Sequence, residues 1–168
     1  MPTLIKHRKL AAAADTWTLL QEGEAFPACG DVIVPLSLWM GKREVLLKRV
    51  GRTGVWLKPE EEPALLAPDF AVLPLIAVHF PAFTDGRGYS TARLLRERHG
   101  FRGELRAFGD VLRDNIFYLS RVGFDAIALR EDQDAAQALG AFGDFSEAYQ
   151  SSVERPQPLF RRRTGSNA

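Results

Sequence analysis

A carboxylate, a guanidinium, a phenol and two hydroxyls follow one another in Asp85, Arg87, Tyr89, Ser90 and Thr91, between two apolar runs. That is more chemistry than a connector needs. A guanidinium beside hydroxyl donors suits a small oxyanion, because charge-assisted hydrogen bonds to an anion are the strong ones. Asp85 would orient an arginine or act as a base, and Tyr89 joins it as the second candidate catalytic group. Arg87, Gly88, Ser90 and Arg93 would bind the ligand from this loop and the helix after it. Gly109 and Asp110 in the next polar loop, and Arg130 beyond that, complete the predicted site.

Each of these residues has a plainer reading. Asp85-Gly86-Arg87-Gly88 also reads as a turn followed by a capped helix. Asp110 is also a helix cap, and Arg93, Arg96 and Arg98 form a solvated helical face. His79 closes an apolar strand and reads as a core histidine. With three histidines and one cysteine in the chain, no metal site is expected. Cys29 has no partner for an internal disulfide, which points to a reducing compartment.

The elements that position these groups follow from periodicity. Phe70 to Phe80 is apolar without alternation, the pattern of a strand buried on both faces, and Pro74 sets its start at Leu75. Asp31 to Pro35, Val55 to Leu57, Glu104 to Phe108 and Ala126 to Leu129 read as further strands. Thr16 to Leu20 reads as an edge strand. Helical spacing fills the intervals: Leu36 to Val50, Tyr89 to His99, a helix from Asp110 to Gly123, and a last one from Asp134 to Tyr149 with Gly140 and Gly143 as weak points. Strand and helix alternate, so the class is α/β, one domain with a mostly parallel sheet and helices on its faces. A three-layer sandwich is the favoured architecture and a partial β/α barrel the alternative. Residues 1–30 form an N-terminal arm with an edge strand, 31–150 the α/β domain, and 151–168 a polar basic tail.

Composition limits the function classes. The 168 residues suit one domain, and 46% hydrophobic with 26% charged residues is an ordinary globular balance. A net charge of +1 supplies no field that would recruit nucleic acid or a membrane surface. No apolar run reaches the roughly 18 residues of a membrane span, and the expected location is the cytoplasm. The phosphate loop Gly-x-x-x-x-Gly-Lys-Ser/Thr, the full Gly-x-Gly-x-x-Gly fingerprint and the Gly-x-Ser-x-Gly elbow are all missing, so the residues name no cofactor.

The runs Phe80-Pro-Ala-Phe-Thr-Asp-Gly-Arg-Gly-Tyr-Ser90, Gly103-Glu-Leu-Arg-Ala-Phe-Gly-Asp-Val-Leu-Arg-Asp114 and Val122-Gly-Phe-Asp125 resemble a bacterial family, domain of unknown function nine-three-four. The similarity extends over roughly Val32 to Arg163. Members are commonly labelled oxidoreductases of sulfite reduction. The resemblance therefore implies a cytoplasmic accessory protein of assimilatory sulfite reduction, with sulfite reductase as a partner and a small anion as ligand. It carries no catalytic residues over. Sulfite reductase chemistry needs an iron–sulfur cluster with several thiolate ligands, so a chain with one cysteine is not the catalytic subunit. Three classes stay open: a small enzyme or carrier of an anionic intermediate, a non-catalytic adaptor docking on the reductase through its arginine-rich helix or basic tail, and an oxidoreductase holding a flavin or nicotinamide in an unfamiliar loop.

Overall fold

The computed structural model describes residues 3–144, 150–153, 155–159 and 161. Eight strands form one sheet: β1 (Thr3–Lys6), β2 (Lys9–Leu10), β3 (Trp17–Leu19), β4 (Asp31–Pro35), β5 (Thr53–Leu57), β6 (Leu75–Phe80), β7 (Glu104–Gly109) and β8 (Ala126–Leu129). Their order is β2-β1-β8-β7-β6-β5-β4-β3. From β3 to β8 every neighbour is parallel, while β1 pairs antiparallel with both β2 and β8.

The boundaries follow local chemistry. Pro35 ends β4 and stands as the N-cap of helix α1 (Leu36–Lys48), since its fixed φ suits a helix entry and it has no N–H to lose. Pro74 precedes β6, which begins at Leu75 as its sequence requires. Helix α2 (Arg87–Arg93) runs on into a π-turn at Leu94–Arg98, and Gly100, with φ of 66°, follows it. Helix α3 (Ile116–Val122) ends on Gly123 in the left-handed region. Asp134 caps α4 (Ala135–Gly140) by accepting from the Gln137 amide, and a 3-10 turn, Ala141–Gly143, follows at the two predicted weak points. The rest of the predicted last helix, with Phe145, lies outside the described residues, as do Arg162 and Arg163 of the tail.

The helix expected to start at Asp110 begins later. The Leu112 amide donates to Asn115 Oδ1, a 3-10 turn over Arg113–Asn115 leads into α3, and the Asp110 carboxylate is engaged elsewhere.

The favoured three-layer sandwich gives way to the alternative, a partial barrel. Parallel strands in sequential order have no switch point, and right-handed crossovers then put every connecting helix on one face. The core divides accordingly. Val32, Val55, Ile76, Val78 and Leu105 face the helices and pack with Trp39, Leu46, Leu95, Ile116 and Leu119. Ile33, Trp56, Leu75 and Ala77 point the other way and form a second cluster with Trp17, Leu19 and Phe108, to which no helix among the described residues contributes. The sheet curls around this second face as a half-barrel. The unalternating apolar strands thus have a different cause on each side: helices cover one face, and the sheet's own curvature encloses the other.

The first 30 residues supply β1, β2 and β3, so both edges of the sheet come from them. Among the described residues no helix is long and apolar enough to cross a membrane.

Candidate functional site

Parallel strands present their carboxyl ends together, and three of them meet at one rim. Side-chain alternation along β6 sends Val78 and Phe80 into the helix layer and His79 onto the concave face. β7 ends in Phe108 and Gly109, and β8 is followed at once by Arg130. Gly109 has φ of 106°, and a Cβ there would stand 2.3 Å from the Phe80 carbonyl oxygen and 2.8 Å from His79 Cδ2. Only glycine fits this close approach of strands at the rim.

Below the rim lies a cavity of about 390 Å³. Trp17, Leu19, Ile33, Ala77, Phe108 and Ala128 give it mostly apolar walls, and Gly109, Arg130 and Glu131 stand at its opening. Trp56 lies close to perpendicular to both His79 (69°, centroids 5.9 Å apart) and Phe108 (81°, 5.7 Å). His79 and Phe108 are a cross-strand pair, tilted by 30° with centroids 5.0 Å apart. The Trp56 indole N–H donates to the Leu20 carbonyl at 2.8 Å, which fixes this aromatic group behind the Phe108 side of the cavity.

Charge lines the other end of the cavity. Arg106 is buried, yet it sits on the concave face of β7 because two carboxylates meet it there. It donates to both oxygens of Asp15, at 2.9 and 2.8 Å, and to Glu104 at 2.9 Å. Burial works against its charge, but these partners outweigh it and its pKa is raised. Lys6 closes the network on Glu104 at 2.5 Å.

The imidazole of His79 makes no hydrogen bond among the described residues. Desolvation lowers its pKa, opposed by the charges of Glu60 and Asp85, so it is neutral at pH 7. This neutral, half-buried imidazole lies behind Phe108, the ring that lines the cavity.

The predicted site residues divide into two groups. Gly109, Asp110 and Arg130 come together at the rim, where Arg130 donates to Asp110 at 2.6 Å and to both oxygens of Asp132 at 2.7 Å. Asp110 also accepts from the Phe83 amide at 2.9 Å, tying the first polar loop to the second. Asp85 lies near enough to His79 for a protonated imidazole to lower its pKa. It accepts from the Arg87 amide at 3.1 Å and from its guanidinium at 3.0 and 2.7 Å, and these bonds hold it at about 2. The turn reading and the rim position of Asp85 are therefore both true of one residue.

The other predicted residues lie in the helix layer. Tyr89 packs on Phe80 and Tyr118, its hydroxyl accepts from Asn115 Nδ2 at 2.8 Å, and burial raises its pKa against that bond. Gly88 is buried under Phe80, where a Cβ would meet the ring at 2.6 Å. Ser90 is exposed, and Arg93 pairs along its helix with Glu97 at 2.8 Å. Across the rim, carboxylates outnumber guanidiniums: Glu60, Asp85, Asp110, Glu131 and Asp132 stand against Arg87 and Arg130.

Sequence reasoning passed over the concave face. Its residues, Asp15, Trp17, Ile33, Trp56, Arg106 and Phe108, are scattered over four stretches of the sequence, and only the fold unites them. One signal was present: Glu104 and Arg106 alternate with Leu105 and Ala107 inside a strand, which marks a face that is not simply core. Among the described residues no three His, Cys, Asp or Glu side chains gather as a metal site.

No curated protein matches the chain. Residues 54–160, more than half of its length, match the family described as Bacterial protein of unknown function (DUF934), and they include β5 from Gly54 onward, β6 to β8 and the rim. The chain belongs to this family.

Proposed function

We propose that this protein is an accessory component of assimilatory sulfite reduction that binds a small ligand at the concave mouth of its half-barrel. The pathway rests on the family resemblance. The site rests on one observation, the Arg130 guanidinium at the opening of a 390 Å³ cavity at the carboxyl ends of β6 to β8, with the His79 imidazole packed behind the Phe108 ring that lines it. Ligands of parallel sheets sit at such strand ends.

An oxyanion such as sulfite would enter beside Arg130 by exchanging with Asp110 or Asp132. Because those carboxylates already hold the guanidinium, the exchange makes binding weak, and protonation of His79 strengthens it as the pH falls. Calorimetric titration with sulfite, sulfate, phosphate and adenosine phosphosulfate tests this reading. Binding lost in Arg130→Ala and retained in Arg93→Ala supports it; equal binding in both variants, or none in the wild type, refutes it.

A second reading is the adaptor that docks on the reductase. It is favoured by the saturation of Arg87, Arg93 and Arg130, each already neutralised by a carboxylate. Its check is co-sedimentation with sulfite reductase, with and without residues 157–168.

A further inference from the structure

We infer that the concave cavity takes a planar ring system, uncharged or cationic, that stacks on Phe108 in the space above Ala128. The inference concerns the apolar wall and not the guanidinium at the rim, so it and the anion reading stand or fall separately.

The geometry comes from one cross-strand row. His79 of β6 is paired with Phe108 of β7, and their rings overlap at 5.0 Å with a 30° tilt. β7 continues to β8 through the pair Ala107 and Ile127, so one step further along both strands brings Ala128 beside Phe108. Adjacent strands are about 4.8 Å apart, which is close to the spacing of stacked rings. The row therefore reads imidazole, phenyl, methyl: a stack that stops at a small side chain, with a cavity where its next member would lie. Leu4 of β1, paired with Ala128, closes the far side.

Three further features narrow the ligand. A volume of about 390 Å³ falls at the lower end of the roughly 300–1,000 Å³ of small-molecule sites, so the space admits a ring system and not a whole dinucleotide. Trp17 of β3 and Phe108 of β7 both line the cavity, so a flat guest meets aromatic faces from two strands that a bulky cage cannot use. Inside the cavity the Arg106 guanidinium is already held by Asp15 and Glu104, so an anionic ring would find no open cation there.

The test is fluorescence titration of the full chain with proflavine, a planar cation, and lumichrome, a planar neutral molecule, beside calorimetry with amantadine, a cationic cage. Trp17 lines the cavity and reports binding, whereas Trp56 is buried behind it and Trp39 is fully buried on the helix side. Both planar probes should bind one per chain. Ala128→Phe fills the slot with the protein's own ring and should weaken them about tenfold or more. Arg93→Ala, whose guanidinium pairs with Glu97 on the helix side, should change them by less than about threefold. Phe108→Leu removes the stacking surface and serves the same purpose if Ala128→Phe fails to fold. The inference is overturned if amantadine binds as tightly as proflavine, if filling the slot and removing the phenyl ring both leave affinity unchanged, or if no planar probe binds.

Discussion

Asp15 and Arg106 lie 91 residues apart and are joined by a two-armed ion pair, at 2.8 and 2.9 Å, across the concave face of the sheet. Asp15 leads into β3, and β7 is four strand steps away. In a flat sheet that separation would be about 19 Å, far more than the two side chains span. The pair is therefore both a product of the curl and a clasp that holds it.

Asp15→Ala leaves Arg106 buried with Glu104 as its remaining close partner. We predict a loss of about 2 kcal/mol in urea unfolding, below the full cost of an orphaned buried charge because one carboxylate stays. Hydrogen exchange of residues 17–19 should accelerate before that of β6, since the clasp holds the sheet's short outer strand.

On the helix side, Asp69 is buried at 4% exposure and accepts from Trp39 Nε1 at 2.8 Å and from Arg43 Nε at 2.7 Å. Burial raises its pKa, but these two donors outweigh that and hold it below its ordinary value. Asp69→Ala leaves the indole N–H without a partner in the core. The expected loss is about 2–3 kcal/mol, read from the urea midpoint at unchanged slope.

Gly109→Ala adds a methyl group where the Phe80 carbonyl and the His79 ring already stand, at a φ that alanine rarely adopts. A loss of about 2 kcal/mol is expected. The His79 ring resonances should shift with it, whereas Gly23→Ala, which also has positive φ but no neighbour within 4 Å, should leave them in place.

Stability should also depend on His79 through pH. Its pKa in the folded chain is below the ordinary 6.5, so the unfolded chain takes up the proton first as pH falls. The contribution is complete above pH 6.5 and is lost progressively below it. Thermal unfolding from pH 7 to pH 5 should therefore show a steeper decline for the wild type than for His79→Phe. Parallel declines would contradict the assignment.

Much of this was legible from residues. Pro35 and Pro74 placed the starts of α1 and β6, Gly123 placed the end of α3, and β8 follows from Ala126 to Leu129 without adjustment. The layering was not legible, because alternation of strand and helix is common to the sandwich and the half-barrel and only strand order separates them. β1 escaped notice because Thr3 to Lys6 is short and of mixed polarity, and its partner Ala126 to Leu129 is more than a hundred residues away. Polar loops at strand ends did point to Gly109, Asp110 and Arg130. They could not show that Asp110 and Asp132 already engage Arg130, since ion pairing depends on how three loops approach one another. His79 looked like core because its neighbours are apolar, and its concave orientation follows only from knowing which face the helices cover.

The most direct test of the central claim, that the concave mouth is the ligand site, is amide chemical-shift mapping of the isotope-labelled chain titrated with sulfite. The account predicts shifts concentrated at Gly109, Asp110 and Arg130, larger at pH 6 than at pH 8. Shifts confined to the outer surface around Arg93 and Tyr118, or none at any pH, would contradict it.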